Sequence, residues 1–315
     1  MTAKPPLDTS RPIHWILDWD GTITRRDTLD ALVSIAAFSK PSLSIFDEWK
    51  RVSEAYMTDY TATMEKRAPD GDLPKTLQGE RDLLRTLESV EQTSLDRVSS
   101  SGIFSDLTRK LLDEGAKRVI DSRKVELRKG FAQFLQHMQS RGSDDLDLLS
   151  VNWSRHFISS CLKAGEAYVD PQAIYANELD GIERDLVSTG KISPDEDAEM
   201  KIVSSGDKLE YLVRLRKLKC ESRNESLDSS RPIVYVGDSW TDIECLLESD
   251  LGICIRDDPI GSSQRKLAER LQSLGIRCPR LQDWKDADEW QVVWARDFAE
   301  IQAWLEALNA STRLT

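Results

Sequence analysis

The sequence predicts an α/β protein built on a parallel sheet with helices on both faces, and a helical segment inserted after the first strand. Short apolar, β-branched runs recur along the chain, and helical patterns separate several of them. The runs IHWIL and PIVYV are nearly continuous rather than alternating, as expected of strands that are covered on both faces. Alternation of such strands with helices is typical of parallel α/β sheets.

Five apolar runs are predicted to form the strands of this sheet, at residues 13–17, 146–149, 173–175, 232–236 and 252–255. The segments GFAQFLQHMQSRG and DKLEYLVRLRKL, which precede two of these runs, carry helical patterns. The segment FAEIQAWLEAL near the end of the chain predicts a further helix, and residues 175–192 predict a strand pair between polar turns.

Residues 26–127 depart from this alternation, because they show helical periodicity and little strand signal. Helical patterns follow one another in TLDALVSIAAF, SIFDEWKRVSEAYM, GERDLLRTLESVEQ and FSDLTRKLLDEGAKRVI, and the stretch APDGDLP predicts a loop. We therefore expect a core domain made of residues 10–25 and 128–315 and a helical domain made of residues 26–127.

Composition limits the classes of partner. The 315-residue chain carries 43 Lys and Arg against 55 Asp and Glu, a net charge of −12. This balance argues against nucleic acid or an anionic membrane as the main partner, although a bound metal ion would still admit a small anionic substrate. The five scattered cysteines predict reduced thiols, and the chain shows neither an apolar leader nor a run of about 18 apolar residues. A cytoplasmic protein without a membrane span is expected.

Two aspartates stand at the end of the first predicted strand, in the segment WILDWDGTIT. Residues i and i+2 of an extended segment point to the same side, so Asp18 and Asp20 are expected to converge on one site. A fixed DxDGT occurs by chance in roughly one of 500 chains of this length if all residue types are equally frequent. The alternative is a turn rich in small polar residues. Two buried like charges are costly unless a cation meets them.

A second pair of aspartates follows another predicted strand, in PIVYVGDSWTDIECLL. The carboxyl ends of parallel strands form the usual ligand edge of an open α/β sheet, so Asp238 and Asp242 are expected near the first pair. A hard divalent cation would offset these charges, and Mg²⁺ prefers one or two carboxylates together with waters and a phosphate oxygen. The alternative is a strand followed by a capped helix start.

Two further positions fit the binding of a phosphoryl group. Ser150 follows a predicted strand and can donate a hydrogen bond to a phosphate oxygen, although serine is common at strand ends. Lys208 lies in the first turn of a predicted helix, where a cation opposes the helix macrodipole unless an anion compensates it. A solvated lysine is the alternative.

These pieces, in this order, resemble the signature of the haloacid dehalogenase superfamily of phosphohydrolases: DWDGT, a serine after the second core strand, a lysine at a helix start, and GDSWTD. The resemblance implies a Rossmann-like core of three layers and identifies residues 26–127 as a helical cap. The segments LLSVNWSRHFI, YANEL, STGKI and GDSWTDIECLLESDLGICI resemble in particular the phosphatase domain of plant thiamine-monophosphate phosphatases, and phosphoserine phosphatases more distantly.

The resemblance also implies roles for individual residues. Asp18 would be the nucleophile that forms an aspartyl-phosphate, and Asp20 the general acid and then the general base. Mg²⁺ would be held by Asp18, by the backbone carbonyl of Asp20 and by Asp238, with Asp242 as a ligand or as the group that orients a metal-bound water. Ser150 and Lys208 would hold the phosphoryl oxygens. The positions expected to line the substrate site are Trp19, Gly21, Thr22, Val151, Asn152 and Trp153.

The expected function is Mg²⁺-dependent hydrolysis of a small phosphorylated metabolite, with thiamine monophosphate as one candidate. Trp19, Trp153 and Trp240 flank the motifs and could stack on a flat or cationic substrate, or could serve only in packing. The alternatives are a protein phosphatase or a phosphotransferase of the same superfamily, or a catalytically idle protein that binds a phosphorylated metabolite.

Overall fold

The computed structural model describes residue 7 and residues 11–41, 43–194, 200–223, 231–283 and 292–312. The chain forms two compact units. The first unit contains Met1–Ile23, Leu127–Leu149 and Lys208–Thr315, and the second contains Thr24–Glu126 and Ser150–Asp207.

The regular elements are numbered here in chain order. The strands are β1 (His14–Leu17), β2 (Asp145–Leu149), β3 (Ile174–Tyr175), β4 (Glu178–Leu179), β5 (Ile192–Ser193), β6 (Ile233–Gly237), β7 (Leu251–Ile255) and β8 (Val292–Ala295). The α-helices are α1 (Leu29–Ser39), α2 (Ile45–Arg67), α3 (Leu77–Ser100), α4 (Arg109–Asp121), α5 (Phe131–Arg141), α6 (Arg155–Ala164), α7 (Ser205–Arg223), α8 (Ile243–Glu248), α9 (Ser262–Ser273) and α10 (Phe298–Thr312).

In the first unit, five strands lie side by side in the order β2–β1–β6–β7–β8, and every pair is parallel. The parallel α/β sheet predicted from the sequence is therefore confirmed. Leu17 at the end of β1 is in register with Leu148 of β2 and with Val236 of β6. Because the strands run in one direction, the residues that follow β1 and β6 emerge at the same edge of the sheet.

The strands β1, β6 and β7 are buried along their whole length, which explains their continuous apolar sequences. The ring of Phe134 on α5 packs edge-to-face on Trp15 of β1, with 5.1 Å between the ring centroids. The ring centroid of Phe298 on α10 lies 5.1 Å from that of Phe131 and 5.3 Å from that of Phe134. Strand β8, with the sequence VVWA, was not predicted.

The second unit contains the four helices α1–α4, so the helical character predicted for residues 26–127 is confirmed. Thr76 and Thr108 cap α3 and α4 by accepting a hydrogen bond from the backbone N–H three residues later. The predicted loop at residues 68–74 contains the short 3₁₀ turn Pro69–Gly71. Strands β4 and β5 form the antiparallel pair expected from residues 175–192.

Residues 150–207 also belong to the second unit, because α6 packs on α4. Asp113 of α4 accepts a hydrogen bond from the hydroxyl of Ser160 at 2.6 Å and lies 2.9 Å from Nε2 of His156. The boundaries predicted for the core and the cap, residues 10–25 with 128–315 and residues 26–127, remain a prediction. Among the residues that the structure describes, no helix is both long enough and apolar enough to cross a membrane.

Candidate active site

A buried lysine joins two of the predicted aspartates in the first unit. Nζ of Lys208 donates hydrogen bonds to Oδ1 of Asp18 at 2.6 Å and to Oδ1 of Asp242 at 2.8 Å. The side chains of Lys208, Asp18 and Asp242 are 1%, 5% and 0% exposed. Burial removes the hydration of ionised groups. Buried ion pairs are therefore stable only when opposite charges lie close together and are well hydrogen-bonded.

The third carboxylate of this cluster is Asp238, which follows β6. One oxygen each of Asp18, Asp238 and Asp242 lie within 4.8 Å of one another. The hydroxyl of Thr22 donates to Oδ1 of Asp238, and the hydroxyl of Ser263 donates to its Oδ2, both at 3.1 Å. With all four groups ionised, three carboxylates and one ammonium carry a charge of −3 + 1 = −2. Closely spaced hard oxygen donors with this charge fit a divalent cation such as Mg²⁺.

The hydrogen bonds of Asp242 separate its role from that of the other two carboxylates. Its Oδ1 accepts from Lys208 and from the hydroxyl of Tyr235 at 2.7 Å. Its Oδ2 accepts from the backbone N–H groups of Asp238 and Ser239 at 3.1 and 3.0 Å, and from the Ser239 hydroxyl at 3.0 Å. Five donors leave Asp242 little capacity for a metal bond, so it fits the orienting role better than that of a ligand.

Burial and charge set the proton affinities in the cluster. Burial raises the pKa of Asp18 well above its usual value, in spite of the opposing effect of Lys208. Burial, together with the charge of Asp242, raises the pKa of Asp238 to about 7. Burial alone would raise the pKa of Asp242, but Lys208 lowers it below the ordinary value. The pKa of Lys208 itself is raised, because Asp18 and Asp242 outweigh its burial. The cluster therefore holds Asp242 and the ammonium of Lys208 ionised, whereas burial favours the protonated forms of Asp18 and Asp238 until a cation compensates their charge.

The turn Trp19–Ile23 carries the chain away from β1. Asp20 lies in this turn (φ −71°, ψ 122°) and not in the strand, and it is not one of the three clustered carboxylates. Gly21 adopts φ +75°, a left-handed conformation that glycine tolerates best. The guanidinium of Arg128 donates to the carbonyl oxygens of Thr22 at 2.8 Å and Gly21 at 2.5 Å, which fixes the turn.

Ser150 begins a tightly bonded loop in the second unit. Its buried hydroxyl oxygen accepts a hydrogen bond from the backbone N–H of Asn152 at 3.1 Å. The side-chain amide of Asn152 donates to the hydroxyl of Thr28 at 3.1 Å. The amide of Asn177 donates to the carbonyls of Val151 and Asn152 at 3.3 and 3.2 Å. The loop is thus held at both ends and along its backbone.

A buried carboxyl supports the other end of this loop. Oε1 of Glu178 accepts from the Ser154 hydroxyl at 2.7 Å and from the N–H of Leu179 at 2.8 Å, and Oε2 accepts from the N–H of His156 at 2.7 Å. Burial raises the pKa of Glu178 to about 7 although these donors favour its charged form. Glu178 was not singled out in the sequence, because its partners come from another segment.

The tryptophans differ in their surroundings. Trp19 is 0% exposed, which favours its packing alternative over stacking on a substrate. Trp153 is half-buried, and its ring meets the rings of Trp49 at 5.7 Å and Phe104 at 5.9 Å, both edge-to-face. In the first unit the ammonium of Lys266 lies 4.1 Å from the ring centre of Trp240. Within the second unit, Trp49 and Trp153 therefore present partly exposed aromatic surface.

The structure thus brings Asp18, Lys208, Asp238 and Asp242 together as the sequence predicts, with Gly21 and Thr22 in the adjoining turn. Asp20 stands in that turn outside the cluster, and Ser150, Val151, Asn152 and Trp153 form part of the second unit. Tyr235, Ser263 and Arg128 were missed. Their residue types are common at such positions, and only the fold brings their side chains to the site. No motif in the sequence therefore marks them.

The chain matches no known protein-family model. It is 29% identical over 248 residues to a CTO1 family protein of Schizosaccharomyces pombe, which covers 78% of this chain and 82% of that protein. It is 24% identical over 250 residues to cold tolerance protein 1 of Saccharomyces cerevisiae, with 74% of each chain covered. The mitochondrial bifunctional TH2 protein of Arabidopsis thaliana is 26% identical over 260 residues, which cover 76% of this chain but only 38% of that protein.

Two solved structures resemble the chain over most of its length. One is a substrate-bound phosphoserine phosphatase, with 18% identity, a TM-score of 0.50, and 93% of this chain and 98% of that chain covered. The chain shares the fold of this phosphatase. The second is a protein of unknown function from Bordetella pertussis Tohama I, with 15% identity, a TM-score of 0.52, and 90% and 98% covered. At these identities the likeness shows a shared fold and nothing finer.

We expect Gly21→Ala to destabilise the first unit more than Gly142→Ala. A Cβ on Gly21 would lie 2.7 Å from Cγ of Asp238, whereas a Cβ on Gly142 meets nothing within 4 Å, and both residues have positive φ. The control should lose about 1 kcal/mol of unfolding free energy through backbone strain alone. The Gly21 variant should lose at least about 2 kcal/mol in urea unfolding. Equal losses would show that the turn does not press against Asp238.

We expect Glu178 to make stability depend on pH. Its pKa rises from 4.5 in the unfolded chain to about 7 on folding, so its stabilising contribution is complete below about pH 4.5 and is lost as the pH rises towards 7. The free energy of unfolding of the wild type, measured relative to Glu178→Gln, should fall by on the order of 3 kcal/mol across this range and then level off. The exposed Glu114→Gln serves as the control. Parallel pH profiles for the wild type and Glu178→Gln would contradict the shift.

Proposed function

We propose that the protein is a Mg²⁺-dependent phosphomonoesterase that hydrolyses a small phosphorylated metabolite through an aspartyl-phosphate on Asp18. The observation that carries this proposal is the buried cluster in which Lys208 bridges Asp18 and Asp242 while Asp238 completes the set of acidic oxygens. Phosphoryl transfer requires mainly positioning and neutralisation of charge, and this cluster supports both.

Asp18 is the proposed nucleophile. Lys208 holds its Oδ1, which fixes the direction of the carboxylate and offsets part of the repulsion between Asp18 and a phosphate ester. Attack of a carboxylate oxygen on phosphorus forms the aspartyl-phosphate and breaks the bond to the leaving alkoxide oxygen. Water then attacks phosphorus, which releases phosphate and regenerates Asp18.

Asp20 is the proposed proton carrier. It donates a proton to the leaving alkoxide and, now ionised, accepts a proton from the attacking water. Its place in the turn, outside the three-carboxylate cluster, supports a role different from that of the metal ligands. The turn itself is set by Gly21 and by the two hydrogen bonds from Arg128.

Mg²⁺ would be held by Asp18, Asp238 and the backbone carbonyl of Asp20, while Asp242 would orient the surrounding groups. When bound, the ion would neutralise phosphoryl oxygens and the charge on the carboxylates. Thr22 and Ser263 hold the Asp238 carboxylate by one hydrogen bond at each oxygen. Ser150 and Lys208 are the proposed donors to the phosphoryl oxygens.

Thiamine monophosphate is the substrate that we propose. The sequence resembles the phosphatase domain of plant thiamine-monophosphate phosphatases, and part of the Arabidopsis bifunctional TH2 protein aligns with this chain. The partly exposed rings of Trp49 and Trp153 supply surface on which a flat cationic ring can stack. Nε1 of Trp49 donates to the exposed carboxylate of Asp30 at 2.8 Å, which adds negative charge beside the rings. We also propose a reducing compartment such as the cytoplasm, a proposal that the five free cysteines support.

The test is phosphate release from a panel that contains thiamine monophosphate, phosphoserine, phosphocholine, pyridoxal phosphate, flavin mononucleotide and a phosphopeptide. We expect turnover with Mg²⁺, none with chelator, and the highest kcat/KM for thiamine monophosphate. Asp18→Asn should lower kcat at least about 1,000-fold, because it removes the nucleophile. Asp121→Asn, at an exposed position on α4, is the matched control and should keep full activity.

Other outcomes separate the competing functions. Activity that survives chelation, or is unchanged in Asp18→Asn, would contradict the mechanism. Preference for the phosphopeptide would indicate a protein phosphatase, and transfer of phosphate to an added alcohol or sugar would indicate a phosphotransferase. Tight binding of a panel member without turnover would indicate an idle binding protein.

A further inference from the structure

The second unit contains a basic pocket beside two of the four points at which the chain passes between the units. The chain passes between the units at residues 23/24, 126/127, 149/150 and 207/208, and the pocket residues follow the first of these points and precede the second. The backbone N–H of Arg25 donates to the carbonyl of Glu126 at 2.9 Å, so the two connecting segments are hydrogen-bonded to each other. The pocket has about 370 Å³ of empty space, including the part open to solvent, and is lined by Arg25, Arg26, Arg123, Lys124, Val125 and Glu126.

The charge of this pocket is opposite to that of the chain. Four cationic side chains and one carboxylate give +4 − 1 = +3, whereas the whole chain carries −12. The Arg25 guanidinium lies 3.4 Å from the carboxylate of Glu126. Among the described residues, no carboxylate lies within ion-pair distance of Arg26, Arg123 or Lys124. Like charges crowded in one pocket repel one another, and an anion between them would remove that cost.

The backbone at Arg123 supports a role for its side chain. Arg123 adopts φ +58° directly after the end of α4, a conformation that costs an L-residue about 1 kcal/mol and that glycine or asparagine usually fills. A cation at a helix C-terminus stabilises the macrodipole, which offers another reason for Arg123 and Lys124. The macrodipole gives no reason for Arg25 and Arg26, because these two residues come from the other segment and precede the N-terminus of α1.

We propose that this pocket binds a small polyvalent anion, a linear chain of two or three phosphate groups. Guanidinium groups match phosphate oxygens with paired hydrogen bonds, and the lysine adds a compact charge. An anion held by Arg25 and Arg26 from one segment and by Arg123 and Lys124 from the other would cross-link these two segments of the second unit. The pocket shares no residue with the proposed catalytic site, and the proposal does not depend on the proposed function.

The test is calorimetric titration of the full chain with inorganic triphosphate at low ionic strength, in the presence of chelator so that no divalent metal is available. Arg123→Gln/Lys124→Gln removes two of the four cations and leaves a residue with a similar backbone preference at position 123. The matched control is Lys110→Gln/Lys117→Gln, which makes the same change in net charge at exposed positions of the same helix. Parallel titrations with ATP test whether the triphosphate of a nucleotide also binds. Titrations with inorganic phosphate test whether a single phosphate group is enough for binding.

We expect the wild type to bind triphosphate, and the pocket variant to bind it at least about tenfold more weakly, because two charge-assisted contacts are lost. The control should stay within about twofold of the wild type, since exposed distant charges are largely screened. Weaker binding of inorganic phosphate than of triphosphate would also support the site. So would binding of ATP that depends on Arg123 and Lys124 in the same way.

Several results would overturn the proposal. The wild type could fail to bind triphosphate, or both double variants could weaken binding equally, which would indicate a diffuse charge effect. Loss of thermal stability in the pocket variant without loss of affinity would assign Arg123 and Lys124 to the end of α4 alone. Loss of triphosphate binding in Ser150→Ala would place the anion at the predicted phosphate loop instead.

Discussion

The contact on which the rest of the site depends is the buried ammonium of Lys208 between Asp18 and Asp242. Without this cation, three carboxylates would lie within 4.8 Å of one another in the interior, which burial makes very unfavourable. Asp242 is in turn oriented by Tyr235 and by the backbone N–H groups of Asp238 and Ser239. The parallel sheet makes the arrangement, since it brings the ends of β1 and β6 to one edge.

The parallel sheet, the helical insertion and the carboxylate cluster could be predicted from the sequence, because the signals are local. Continuous apolar runs mark buried strands, and Asp18 and Asp238 directly follow two of them. Strand β8 could not be predicted, because VVWA is too short for its period to distinguish strand from helix. Ser263 and Arg128 could not be predicted either, since a serine at a helix start and an arginine in a polar connection are common and only the fold brings them to Asp238 and Gly21.

The second unit shows how a loop without regular structure is fixed by buried polar groups. Asn152 and Asn177 each bond to groups from distant segments, and Glu178 accepts three hydrogen bonds around the start of α6. A buried carboxyl is a costly way to fix a backbone, and its raised pKa reflects that cost. The packing of α6 on α4 explains why residues 150–207 join the helical insertion, a grouping that depends on side-chain contacts such as Asp113 with Ser160.

The central claim is that the cluster formed by Asp18, Asp238, Asp242 and Lys208, whose charge is −2 when all four groups are ionised, binds one divalent cation. Titration of Mg²⁺ into the metal-free protein by calorimetry tests it most directly. The account predicts one bound ion per chain, a rise in the unfolding temperature, and affinity at least about tenfold weaker in Asp238→Asn. An absence of Mg²⁺ binding in the wild type, or equal affinity in Asp238→Asn, would contradict it.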